Sequence, residues 1–170
     1  MKITDNKLNQ KAKMVVYAIH LATQQFNKTV YGEIKGVKPI NELSEASEKD
    51  KGVVTYLTMV SFLFQAQKYF WERVITDKEI AKKFENLIYE IFIQLTEVDP
   101  KPYILDIGDY IERQGKEGEL MYLGSKICKE LKNEGAILMM EINTVFSSLL
   151  IHGYFESLKN AWEYVPKDEK

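Results

Sequence analysis

Reactive and metal-binding side chains are scarce in this chain: its 170 residues hold one cysteine and two histidines. A lone Cys128 cannot form an internal disulfide, so a reducing, cytoplasmic setting is expected. Helical di-iron proteins place a glutamate three residues before a ligating histidine. Here Tyr17 precedes His20 and Leu149 precedes His152, and no H-E-x-x-H or paired-cysteine motif occurs, so neither a metal nor a cofactor is expected. Phosphate-cradling loops of the G-x-x-x-x-G-K-[ST] or G-x-G-x-x-G type are missing, as is the G-x-S-x-G of serine hydrolases. Arginine is limited to Arg73 and Arg113, and the formal charge is −2 with both signs interspersed. Bidentate reading of phosphate or guanine is therefore disfavoured. The N-terminal MKITDNKLNQKAK has no apolar stretch of the secretory kind.

What the chain does have is two long apolar runs. Residues 52–67, GVVTYLTMVSFLFQAQ, carry no charge, and residues 136–155, AILMMEINTVFSSLLIHGYF, carry only Glu141. The second is long enough to cross a bilayer. However, Glu141, Asn143, Ser147, Ser148 and His152 interrupt it, and no lysine or arginine anchors either end, so no membrane span is expected. Both runs read instead as helices wrapped by the rest of the protein.

Helical periodicity organises the remainder. Leu8, Ala12, Val15, Ile19, Ala22 and Phe26 recur at four and three along a first helix over about 6–28. Residues 27–52 hold three glycines and Pro39, and read as a long loop or crossover, with a short helix over about 44–50 and with lysines that could touch a polyanion. A helix follows over about 53–75. Thr76 to Glu79 has the form of a capping box for the stripe Ile80, Phe84, Leu87, Ile88, Ile91 and Leu95. Pro100 and Pro102 end that helix. A short helix then runs from Tyr103 to Gln114, another carries Leu120, Leu123, Ile127 and Leu131, and a last spans about 136–163, before Pro166. With no strand signal, the fold class is all-α: one domain, a bundle of about six helices around two charge-poor central ones, 53–75 and 136–163.

The last helix carries the candidate site. Glu141, Thr144, Ser148, His152 and Glu156 form a polar stripe whose middle holds only small or uncharged groups, so the helix centre is expected to be buried almost all round. Gly153, Ser157 and Ala161 recur every four residues, a row of small side chains suited to close approach of another helix. Glu141 stands near the helix start, where the helix dipole favours a carboxylate; it reads otherwise as half of an ion pair or as a group facing a pocket. A pocket between the two charge-poor helices would take Glu141, Asn143, His20 and His152 as its polar contacts. Asp106 and Asp109 share a helix face with Arg113 four residues beyond, the pattern of a helical ion pair. Lysines near Cys128 would favour its thiolate if the thiol were accessible, although packing is the simpler reading. Among Tyr69, Phe70 and Trp71, at least one ring should lie off the core face.

The leading expectation is a non-enzymatic helical interaction or regulatory protein, a homo-oligomer or a subunit of a larger assembly. The alternatives are a helical bundle that binds or transforms a small molecule, and a nucleic-acid-associated accessory protein.

Overall fold

The computed structural model describes residues 4–115, 117–133 and 135–164. Pro166, expected to follow the last helix, lies outside them. Eight α-helical segments follow one another: α1 (Asp5–Val30), α2 (Asn41–Ser44), α3 (Glu48–Tyr69), α4 (Lys78–Thr96), α5 (Lys101–Gln114), α6 (Gly118–Glu130), α7 (Ala136–Leu149) and α8 (Phe155–Glu163). Two single π turns, Phe70–Val74 and Leu150–Tyr154, extend α3 and join α7 to α8. Counting α7–α8 as one continuous helix gives seven helices and, among the described residues, no strand: an all-α bundle.

Local chemistry sets the helix ends. Thr4 caps α1 by accepting from the Lys7 N–H, and Ser47 caps α3 by accepting from the Asp50 N–H. The cap of α4 is Asp77, not Thr76: its carboxylate accepts from the N–H groups of Glu79 and Ile80, and its charge adds to the attraction of the helix N-terminus. The segment between α1 and α3 is shorter and more tightly packed than its composition suggests. Its helix falls at Asn41–Ser44 rather than over 44–50, and it anchors itself through buried Ile40 and Leu43 and an Ile40 N–H to Val30 C=O bond. Gly32 has φ +77°, and a Cβ there would meet Pro39 at 2.8 Å, so only glycine permits this turn.

The two charge-poor runs have different fates. α3 is the central helix: every residue from Leu57 to Leu63 is buried, against α1, α5, α6 and α8. α7 lies at the edge. Leu138, Ile142 and Phe146 are buried, but Ile137 and Ile151 are each 75% exposed and Met140 is 65% exposed. The expectation that the last helix is enclosed at its centre is therefore overturned, because Thr144, Ser148 and His152 face outward together with these apolar neighbours. Leu95 and Leu120, at the ends of their stripes, are exposed as well.

Aromatic contacts tie α3 to the last helix. The Phe62 ring lies 4.8 Å from Phe146 and 4.7 Å from Tyr154, while Phe70 and Phe84 enclose Trp162. The Lys11 ammonium sits over the Trp162 ring and donates to its backbone carbonyl, latching α8 to α1. Of the three consecutive aromatics, Phe70 is buried, Tyr69 is half-buried and Trp71 is exposed.

Candidate functional site

An open groove of about 540 Å³ lies between α1 and the far half of the last helix. Heptad-like spacing on α1 supplies one wall through Met14, Tyr17, Ala18, Leu21 and Gln25. The opposite wall is Leu149, His152, Gly153, Ser157, Ala161 and Tyr164. Small side chains form its floor, and half-exposed Tyr17, Leu21 and Tyr164 form its rims. The π turn at Leu150–Tyr154 shapes it. A π turn inserts a residue into the helical repeat and so rotates everything beyond it relative to α7. Gly153 leaves helical geometry here, with φ 169° and ψ −21°.

The row Gly153, Ser157 and Ala161 thus lines a groove that no other described residue fills. A Cβ built on Gly153 meets nothing within 4 Å, so the close helix approach expected at this glycine does not occur among the described residues. Close approach occurs instead at Gly124 on α6. A Cβ there would lie 2.5 Å from the Met139 carbonyl oxygen and 2.7 Å from Asn143 Oδ1.

The four polar residues expected to share a pocket are dispersed. His152 lines the groove. Asn143 faces α6, where its Oδ1 accepts from the Gly124 N–H at 2.8 Å, a structural role. His20 lies on the outer side of α1, its Nε2 2.9 Å from the Gln24 amide nitrogen. Glu141 is exposed and forms no ion pair with any described residue. The space between the two charge-poor helices is filled by Phe62, Phe146 and Tyr154. The concavity lies on the other flank of the last helix, against α1. Sequence reasoning missed Tyr17 and Leu21; their signal was that both are large and apolar yet fall off the α1 core stripe.

Titratable groups elsewhere serve packing. Asp106 on α5 accepts from Tyr122 Oη at 2.9 Å and pairs with Lys126 Nζ at 3.0 Å, both on α6. Partial burial works to raise the Asp106 carboxyl, but the hydrogen bonds from Lys126 and Tyr122 and the lysine charge outweigh it and hold it below its ordinary value. Asp109 does not pair with the Arg113 guanidinium through its carboxylate; Arg113 Nε donates to the Asp109 backbone carbonyl. Cys128 is buried, and burial together with the Glu42 charge pushes its thiol up, the opposite of an activated thiolate. Among the described residues no group of three or more His, Cys, Asp or Glu side chains is placed to hold a metal ion.

Comparison with known proteins finds no matching protein family, no similar curated protein and no similar solved structure. What marks a working surface here is the groove, together with the exposed apolar side chains Ile137, Met140 and Ile151.

Proposed function

We propose that this is a non-enzymatic helical interaction protein, acting as an oligomer or a subunit of a larger assembly, with the outer face of α1, α7 and α8 as its docking surface. The observation that carries this reading is the exposed ridge Ile137, Met140 and Ile151 on a helix whose most apolar stretch is only 22% buried. Apolar side chains at that exposure lose little burial on unfolding, so they contribute little to the fold of the isolated chain; removal from water by a partner would stabilise them. The experiment is native co-purification with mass measurement, for the wild type and for Ile137→Glu combined with Met140→Glu. The expected result is an assembly heavier than the 19.8 kDa chain that the double variant loses while its melting temperature is unchanged. A lone chain in both cases defeats the reading.

A second reading has its own observation. The groove's volume of about 540 Å³ matches pockets for small apolar ligands, which span roughly 300–1,000 Å³. In this reading His152, Ser157 and Asn160 orient a ligand whose body lies on Ala18, Ala22 and Ala161. Its test is saturable uptake of an apolar fluorescent probe that Ala22→Trp blocks. Nucleic-acid binding through the segment 28–51 gains no support: Glu33, Glu42, Glu45, Glu48 and Asp50 stand among its lysines.

A further inference from the structure

Resting on the docking reading above, we infer that the occupant of the α1/α7–α8 face is a second copy of this chain. The two copies are related by a two-fold axis along the groove, so that α1 of each lies over α7–α8 of the other.

Two observations select this occupant. The first is area. Tyr17, Leu21 and Tyr164, between 46% and 55% exposed, line the groove, and Ile137, Met140 and Ile151, between 65% and 75% exposed, stand on the helix that forms its second wall. Together they offer on the order of 500 Å² of apolar surface, taking about 100 Å² for an aliphatic side chain and about 200 Å² for an aromatic one. A stable interface takes about 800 Å² from each partner, somewhat over half of it apolar. The exposed side chains of α1 and the last helix together therefore offer the apolar half of a dimer contact.

The second is charge. From Asn6 to Gly32 the chain has no acidic residue, and Lys13 and Lys28 stand exposed on α1. The last helix, over 136–163, carries Glu141, Glu156 and Glu163 against Lys159 alone. Lys13, Lys28, Glu141 and Glu156 form no ion pair with a described residue. A two-fold axis across the helices would stack α1 on α1, lysine on lysine. An axis along the groove sets the basic helix of each copy against the acidic helix of the other, twice, as an isologous contact requires. Small groups on the groove floor, Ala18, Ala22, Gly153 and Ala161, leave room for the two grooves to close on each other.

The test is solution mass by light scattering on the purified full chain, from low to high micromolar concentration and at low and high salt. The expected result is twice 19.8 kDa, with dimerisation weakened by salt. Leu21→Glu with Ile151→Glu should weaken dimerisation by about tenfold or more at unchanged melting temperature. Lys13→Glu with Lys28→Glu should do the same, and adding Glu141→Lys with Glu156→Lys should restore the dimer. A wild-type monomer at every concentration overturns the inference, as does a dimer indifferent to all these substitutions. If that monomer binds phosphatidylcholine vesicles and Ile151→Glu abolishes the binding, the face is lipid-directed and self-association is wrong. If the monomer instead joins a heavier hetero-assembly that Ile137→Glu with Met140→Glu disrupts, the docking reading survives and only the second copy fails.

Discussion

Tyr154 Oη donates a 2.6 Å hydrogen bond to the Phe62 carbonyl oxygen, joining the π turn of the last helix to the middle of α3. Tyr154 is 3% exposed, and burial raises its hydroxyl well above its ordinary value, so it stays a donor. Its ring packs on Phe62, so one side chain fixes both the depth and the rotation of the helix that forms one wall of the groove. Tyr154→Phe keeps the ring and removes the bond. The expected cost is about 1 kcal/mol, read as a lower melting temperature with unchanged helical content.

Gly124 and Gly153 should respond differently to an added methyl group. Gly124→Ala drives a methyl into the Met139 carbonyl and the Asn143 side chain, and should destabilise by about 1–3 kcal/mol. Gly153→Ala meets open space and should leave the stability within about 0.5 kcal/mol of wild type. Thermal denaturation of the pair checks both, and the reverse order would mean that α6 and α7 are not packed at Gly124.

Thr58 lies on α3 with 0% exposure, and its hydroxyl finds no hydrogen-bond partner among the described residues. Valine has the same shape without the polar atom. Thr58→Val is therefore expected to stabilise the protein, by about 1 kcal/mol, since the desolvation penalty of the hydroxyl is removed at constant packing. Chemical denaturation with an unchanged slope would report it.

The Asp106 cluster predicts a pH dependence with a definite sign. The carboxyl is held below its ordinary value in the folded chain, so its contribution is fully present above the unfolded value near about 4 and is lost as pH falls through the lower folded one. Lys126 and Tyr122 act on the alkaline side. Burial lowers Lys126, but its bond to Asp106 and the carboxylate charge outweigh this and leave it raised; Tyr122 is raised by burial and by its bond to Asp106. Their contributions are present below the unfolded values and are lost as pH rises through the folded ones. Asp106→Asn should melt below wild type at neutral pH, and the two curves should converge in acid.

Much of the bundle is legible in the chain because helix periodicity and caps are local. Of the stripe Leu8, Ala12, Val15, Ile19, Ala22 and Phe26, all but Ala22 are buried as the spacing implies, Ala22 lining the groove instead, and α5 ends at Gln114 as expected. The shift of the α4 cap from Thr76 to Asp77 is one residue, within the reach of two neighbouring side chains that both cap well. The candidate site was less legible. Asn143 and His152 lie on one helix, yet one faces α6 and the other the groove, and that division depends on what packs on each side.

The two apolar runs mark the boundary most clearly. By itself the sequence determined that each is a helix with too little charge to stand alone in water, because composition and period are properties of the segment. Only the tertiary structure decided that α3 is covered on every side over residues 57–63 while α7 keeps one apolar face open. Burial is a property of neighbours: α1, α5, α6 and α8 surround α3, whereas α7 rests mainly on α6 and α1.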